Sequence, residues 1–242
     1  MSSAVAGGSR ERVVLLVDDD EDIREIVSEI LTDQGHKVRV AHNGREALAA
    51  LDDMADAPPQ LILLDLMMPE LDGNQFLAVL DEHPMHTGIP IVVVTASRRT
   101  APQSVRHRVS GWLPKPVEYD HLVATVSRFL GTPAPPAPAP VTELRPRGQK
   151  RDVAKFMQRR VDELHTLRAA LASSDHLEIR RIGHNLKGVG SSFGFPDLTD
   201  LGARLENAAR ADDPNAMRKL IDELDAYVTR VQAGALPAPS PV

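Results

Sequence analysis

The sequence predicts two domains, an α/β domain built on a parallel β-sheet and an all-α antiparallel four-helix bundle. Three observations support this prediction. Short apolar runs alternate five times with segments of helical periodicity across the first 131 residues, which is typical of α/β domains. A stretch of alternating alanine and proline follows. After it come four segments of helical period and no run typical of a strand.

The first domain is predicted over residues 11–131. Two of its apolar runs, LILLD at 61–65 and IVVVTA at 91–96, are continuous, as expected for parallel strands covered on both faces. The helix after the first run has apolar residues at helical spacing and ends at Gly35. The predicted strands in chain order are VVLLV (13–17), KVRVA (37–41), LILLD, IVVVTA and GWLPKP (111–116).

A proline-rich linker is predicted over residues 132–150, beginning with TPAPPAPAP. Proline fixes φ and lacks a backbone N–H, so neither a helix nor a sheet can run through this stretch. Alternating Ala and Pro favour an extended, semi-stiff spacer. We expect residues 1–10 and the tail 234–242 to be disordered.

The second domain is predicted over residues 151–233 as a four-helix bundle. The last helical segment places seven apolar residues, from Met217 to Val231, on one stripe. The connections are short, which implies that successive helices are antiparallel neighbours. The four predicted helices lie near residues 152–172, 175–193, 197–210 and 214–232.

Composition and charge exclude several classes of protein. The chain has no cysteine, which excludes disulfides and Cys-based zinc sites. Its net charge of −6 argues against nucleic-acid binding. The first residues lack the apolar core of a signal peptide, and the apolar runs are too short to span a membrane, so a cytoplasmic location is expected.

The two halves of the chain differ in charge. Residues 1–131 hold 12 Lys and Arg against 20 Asp and Glu, a net charge of −8. Residues 132–242 hold 16 against 14, a net charge of +2. This difference indicates two units that have different partners or that are each other's partner.

Three carboxylates are predicted at the carboxyl ends of strands, where parallel sheets bind their ligands. Asp18 and Asp19 follow the first strand, and Asp65 ends the third. Clustered carboxylates repel one another and need either a cation or protonation. Because Mg²⁺ is a hard cation that prefers oxygen ligands, it fits such a cluster.

Two further polar residues are predicted at the same edge of the sheet. Thr95 ends the fourth strand, and Lys115 precedes Pro116 after the fifth. A hydroxyl, an ammonium and a metal around a carboxylate suit a phosphoryl group. A single Asp at a strand end is more often a helix cap, which is the interpretation we give to Asp20. Five matched residues at the right strand ends are stronger evidence.

The motifs LLVDDDEDIRE, LILLDLMMPELDG, VVVTAS and GWLPKP resemble the signatures of response-regulator receiver domains. The resemblance covers residues 12–131 and implies a flavodoxin-like, doubly wound, five-stranded parallel sheet. It also implies that Asp65 accepts a phosphoryl group as an acyl phosphate. Asp19, Asp65 and the backbone carbonyl of Met67 would ligate Mg²⁺, with Asp18 acting through water.

The same resemblance assigns roles to residues further along the chain. Lys115 would pair with the phosphoryl oxygens, and Thr95 would move to hydrogen-bond them. Trp112 stands where receivers usually carry an aromatic switch residue, although a half-buried structural tryptophan is an equal alternative. Between Thr95 and Lys115 the chain is shorter than usual and contains Pro102, which predicts a truncated or mobile helix at about 100–109.

His184 is the chemically notable residue of the second domain. Ile179, Ile182, Leu186, Val189 and Phe193 form one apolar stripe, which places His184 on the opposite face and predicts that it is exposed. Lys187 and Gly188 are its neighbours at i+3 and i+4. The motif HNLKGVGSSFG, followed by LTDLGARLENAAR, resembles the histidine-containing phosphotransfer (HPt) domain. The resemblance implies that His184 carries a phosphoryl group, with Lys187 assisting.

These domains predict a phosphorelay protein of a two-component system, with Asp65 and His184 as phosphoryl carriers and Mg²⁺ as cofactor. Its expected partners are a histidine kinase, either a sensor or a hybrid, and another receiver domain. No glycine-rich nucleotide loop is present, so a kinase catalytic domain is not expected.

Alternatives remain open. The receiver could gate access to His184 without direct transfer, and the direction of phosphoryl flow is not readable from the sequence. The second domain could instead be the dimerisation helix pair of a histidine kinase, and the chain could be a transcription regulator that lacks a recognisable DNA-binding module.

Overall fold

The computed structural model describes residues 12–82, 86, 88–95, 103–131 and 153–234. The predicted linker at 132–150, residues 1–10 and all of the predicted tail except Gly234 lie outside the described residues. None of the described helices is long and apolar enough to cross a membrane.

The first domain is the predicted α/β domain, with a sheet of five parallel strands in the order β2-β1-β3-β4-β5. The central strands β3 and β4 are buried at every position because helices cover both faces of the sheet. The strands are β1 (Val13–Val17), β2 (Lys37–Ala41), β3 (Leu61–Asp65), β4 (Ile91–Thr95) and β5 (Gly111–Pro114).

Within the described part of this domain five helices connect and follow the strands, and the sequence explains where the first of them begins. The Asp20 side chain accepts hydrogen bonds from the backbone N–H groups of Asp22 and Ile23, which confirms Asp20 as a helix cap. The helices are α1 (Glu21–Asp33), α2 (Gly44–Asp53), α3 (Gly73–Asp81), α4 (Gln103–Arg106) and α5 (Tyr119–Leu130).

Helix α4 falls in the segment for which a truncated or mobile helix was predicted. It is described over only four residues, because residues 96–102 lie outside the described part of the chain. The side chain of Val105 packs into the apolar core on one face of the sheet.

The second domain consists of four helices, as predicted. Helix α6 packs against α7 and α9, and α8 packs against α7 and α9. Apolar stripes from all four helices meet in one core, where the rings of Phe156 and Phe193 stack 4.0 Å apart. The helices are α6 (Val153–Ala172), α7 (His176–Val189), α8 (Pro196–Arg210) and α9 (Pro214–Gln232).

The prediction of one continuous helix over 175–193 is wrong at its C-terminal end. Helix α7 stops at Val189, and Ser191–Phe193 form a 3₁₀ turn. The backbone N–H of Ser191 donates to the Thr199 hydroxyl at 2.9 Å instead of continuing the helical ladder. Gly194 then adopts a left-handed φ of 79°, which turns the chain toward α8.

Candidate functional site

A lysine and two aspartates form the centre of a buried polar site at the carboxyl edge of the sheet. The Lys115 ammonium lies 2.7 Å from Oδ2 of Asp65 and 2.9 Å from Oδ2 of Asp18. All three side chains are about 1% exposed. Asp65 ends β3, Asp18 follows β1 and Lys115 follows β5, so the parallel topology brings together residues that are far apart in the sequence.

Asp19 completes a cluster of three carboxylates. One ligand oxygen from each of Asp18, Asp19 and Asp65 lies within 4.8 Å of the other two. Burial, reinforced by the nearby carboxylates, raises the pKa of Asp18 to about 8 against the opposing effect of Lys115. Burial and the Asp65 charge likewise raise the pKa of Asp19. Oδ1 of Asp19 is buried and has no hydrogen-bond partner among the residues that the structure describes. The carboxylates therefore require additional positive charge, and the donor set suits a hard divalent cation.

The remaining predicted residues of the receiver are Thr95, Met67 and Trp112. Thr95 ends β4 and is buried. Its backbone carbonyl accepts a hydrogen bond from the backbone N–H of Lys115 at 2.9 Å. The backbone N–H of Met67 donates to Oδ1 of Asp65 at 3.2 Å. The Met67 carbonyl as a metal ligand stays a prediction. Trp112 is half-buried on β5 and packs against the sheet core, and its role as a switch residue also stays a prediction.

Helix α7 of the bundle lies against this edge of the receiver. Arg181 forms an ion pair with Asp19, and Asn185 donates from Nδ2 to Oδ2 of Asp19 at 3.1 Å. A Cβ atom on Gly188 would lie only 3.1 Å from Cδ of Lys115. Since residues four positions apart share one helix face, the contacts at 181, 185 and 188 define the face of α7 that covers the carboxylate cluster.

His184 belongs to this same face, and the prediction that it is exposed is wrong. Its side chain is 7% exposed. The sequence correctly placed it away from the apolar stripe, whose members Ile179, Ile182 and Leu186 are buried in the bundle. The reason for the error is that the opposite face of α7 is not open to solvent: it contacts the receiver at Arg181 and Asn185, and Glu206 of α8 lies beside the imidazole. Neither ring nitrogen of His184 has a hydrogen-bond partner within the described residues.

Glu206 of α8 is the charged neighbour of the imidazole. Its Oε1 lies 3.5 Å from Nδ1 of His184, too far for a good hydrogen bond, and its Oε2 lies 3.1 Å from the Lys187 ammonium. Burial would raise the pKa of Glu206, but interactions with His184 and Lys187 outweigh it and lower the pKa to about 2. Glu206 is therefore a carboxylate at neutral pH. Lys187 is held by this carboxylate, next to the histidine.

Gly183 explains how Glu206 comes so close to the histidine helix. A Cβ atom on Gly183 would lie 2.7 Å from the backbone nitrogen of Glu206, closer than two such atoms can approach. Only glycine lets α7 and α8 pack at this distance. Sequence reasoning matched Glu206 to a family pattern without assigning it a contact, and it missed Arg181 and Asn185 altogether.

Comparisons with protein families agree with this architecture. The family model of the response regulator receiver domain matches residues 14–127, and that of the Hpt domain matches residues 153–234. The first domain belongs to the receiver family and the second is an Hpt domain. The two domains together make this a protein of two-component phosphorelay signalling.

Similar proteins match the receiver half of the chain. An uncharacterized 14.6 kDa protein of Leptolyngbya boryana is 33% identical over 118 residues, which are 48% of this chain and 88% of that protein. The transcriptional regulatory protein CpxR of Klebsiella pneumoniae is 36% identical over 119 residues, 48% of each chain. The regulatory protein AtoC of Escherichia coli is 32% identical over 117 residues. These residues are 48% of this chain and 25% of AtoC.

Among solved structures, the chemotaxis protein CheY4 of Vibrio cholerae is 32% identical. The match covers 50% of this chain and 99% of that one, with a TM-score of 0.44.

Proposed function

We propose that the protein carries phosphoryl groups on Asp65 and His184 and exchanges them between these two residues within one chain. The observation that carries the proposal is the position of α7. Residues on the His184 face contact Asp19 and approach Lys115, both of which adjoin Asp65. The imidazole therefore faces the edge of the sheet that holds the acceptor carboxylate.

The proposed step is an in-line displacement at phosphorus. A carboxylate oxygen of Asp65 forms a bond to phosphorus as the bond from phosphorus to the His184 nitrogen breaks, and the electron pair returns to the ring. The reverse step moves the group from the acyl phosphate to the imidazole. Because Nδ1 of His184 faces the Glu206 carboxylate, Nε2 is the nitrogen left to react.

Charge on the transferred group needs partners at every stage. Lys115 contacts Asp65 directly and would pair with phosphoryl oxygens, and Thr95 ends the neighbouring strand β4. Lys187 offers a second ammonium beside His184. Asp19, Asp65 and the Met67 carbonyl would hold Mg²⁺, with Asp18 acting through water. When bound, this ion neutralises negative charge that develops on the phosphoryl group.

A second function, gating, is favoured by the burial of His184. While α7 covers the carboxylate cluster, another protein's receiver cannot reach the imidazole, and a histidine kinase cannot reach Asp65. In this alternative the receiver controls access to His184, and the two residues do not exchange phosphoryl groups. The expected partners, a histidine kinase and another receiver domain, are the same for both functions, as is the expected cytoplasmic location.

The two functions differ in what Asp65 must do. A phosphohistidine donor carrying labelled phosphate is supplied to the wild-type chain and to Asp65→Asn. Direct exchange predicts label on both Asp65 and His184 in the wild type and on neither residue in the variant. Equal labelling of His184 in both chains would refute transfer through Asp65.

A further inference from the structure

A second contact between the two domains lies outside the phosphoryl site. On the receiver it consists of Glu21, Asp22 and Glu25 in the first turns of α1, which we name the acidic edge. On the bundle it consists of Lys155, Arg159 and Arg160 in the first turns of α6, which we name the basic strip. None of these six residues belongs to the carboxylate cluster or to the surroundings of His184.

A buried ion pair forms the centre of this contact. Nη2 of Arg160 lies 3.0 Å from Oδ2 of Asp22, and the two side chains are 2% and 1% exposed. The Arg160 guanidinium also lies 4.5 Å above the Phe156 ring and pairs with Glu163 at 2.8 Å. Arg160 thus has partners inside the bundle, whereas the arginine partners of Asp22 among the described residues all lie across the domain boundary.

Arg159, whose side chain is 15% exposed, forms a second ion pair with the buried Asp22. More exposed pairs surround these two: Arg159 also lies 2.8 Å from Glu21 and 3.1 Å from Glu25. Lys155 pairs with Glu25 and lies 3.4 Å from Glu21. The side chains of Lys155, Glu21 and Glu25 are each about half exposed. Each of these exposed pairs contributes little to the free energy of docking. All of them join an acidic side chain of the receiver to a basic side chain of the bundle, so together they add attraction around the buried pair.

The helix itself does not account for Asp22. A carboxylate in the first turn of α1 suits the positive end of the helix. That role is fulfilled equally well by an exposed side chain, whereas Asp22 is buried against two arginines of another domain. Burying a charge is costly unless a partner compensates it. The burial of Asp22 therefore depends on docking of the bundle.

We propose that the acidic edge and the basic strip form a docking surface that selects the bundle of the same chain as the partner of the receiver. The surface has complementary charge, in keeping with the acidic receiver and the mildly basic second half of the chain. The connection through the chain raises the local concentration of this one bundle above that of any separate partner. The proposed docking does not depend on phosphoryl transfer between Asp65 and His184. Only the effect of docking on that transfer rests on the proposed function.

The experiment measures docking in the full chain without any phosphoryl donor. The chain has no cysteine, so Asp56→Cys and Leu177→Cys, both at exposed positions, give two unique sites for spin labels. Pulsed electron spin resonance then reports the distance distribution between the domains. A narrow distribution is expected for the otherwise unchanged chain, and Asp22→Asn should lower the ratio of docked to undocked molecules about a hundredfold.

A charge swap keeps the test independent of any folding defect in Asp22→Asn. Glu25→Lys and Lys155→Glu should each broaden the distribution. The chain carrying both should have a narrower distribution than either single variant, because the two reversed charges attract each other although each still faces a like charge on Arg159 or Glu21. The matched control is Arg168→Glu, on the same helix α6, because Arg168 pairs with Asp225 inside the bundle. This control should keep the narrow distribution.

The outcomes separate this inference from the proposed function. A docked-to-undocked ratio in Asp22→Asn equal to that of the otherwise unchanged chain, or a distribution in the charge-swapped chain broader than in both single variants, would overturn the docking surface. Binding of a second copy would appear as a distance that depends on protein concentration, and this result would also overturn selection of the same chain. A normal docking response without label exchange between Asp65 and His184 would refute the proposed transfer and leave the docking surface intact.

Discussion

Gly188 and Gly183 lie on the same helix. Alanine at Gly188 should raise the stability of the bundle, whereas alanine at Gly183 should lower it. Alanine in a helix interior is more favourable than glycine by about 0.5–1 kcal/mol. At Gly188 the new methyl group points at the Lys115 side chain, so the bundle gains this stability. At Gly183 it meets the Glu206 backbone, where overpacking costs about 1–3 kcal/mol.

Gly188→Ala should therefore stabilise the bundle and weaken docking at the same time. The 3.1 Å approach to Cδ of Lys115 requires that side chain to move by a few tenths of an ångström. Its ammonium is held by two buried carboxylates, so the movement is opposed. Urea unfolding followed by circular dichroism measures bundle stability, and the label exchange rate between Asp65 and His184 measures the approach of the two residues.

The expected result is a raised free energy of unfolding with severalfold slower exchange in Gly188→Ala. Gly183→Ala, the matched control, should lower the free energy of unfolding. Label exchange in Gly188→Ala as fast as in the wild type, or a change in bundle stability in the same direction in both variants, would contradict this prediction.

Three further predictions concern the charges and the reactive groups. Glu206→Gln should destabilise the bundle by about 1–2 kcal/mol at pH 7, after allowance for solvent screening. The folded pKa of Glu206 is about 2, below the ordinary value of 4.5, so this contribution is present above pH 4.5 and disappears as the pH falls toward 2. A difference in stability that is independent of pH in urea unfolding would contradict it. His184→Gln should abolish label on the bundle and destabilise it no more than Glu206→Gln does, because it removes only one partner of that carboxylate, whereas a larger loss of stability would mean that His184 is structural. Chelation of Mg²⁺ by EDTA should stop labelling of Asp65, and undiminished labelling would exclude the metal assignment.

Local sequence patterns predicted the elements and the edge of the sheet because both follow from short-range rules. Continuous apolar runs identified β3 and β4 as central strands, and parallel topology places their carboxyl ends at one edge. Asp65 and Lys115, 50 positions apart, consequently form a direct contact. Helical periodicity likewise identified the four helices of the bundle and the buried stripe of α7.

The docking of the two domains could not be predicted in the same way. Periodicity states which face of α7 avoids the bundle core, but it does not state whether solvent or another domain covers that face. His184 was consequently predicted to be exposed. The contact of Asp22 with the second domain was not predicted for a related reason. An acidic residue in the first turn of a helix is already explained by the positive end of that helix. Arg181 and Asn185 carry no motif, and only their contacts with Asp19 reveal them.

The dependence of label exchange on protein concentration decides whether Asp65 and His184 of the same chain exchange phosphoryl groups. The full chain, labelled at one carrier residue in the presence of Mg²⁺, is diluted over about a hundredfold range, and the rate at which label appears on the other carrier is measured. Exchange between Asp65 and His184 of one chain predicts a first-order rate constant that is the same at every dilution. A rate constant that falls in proportion to concentration would show that the two residues meet only between different molecules.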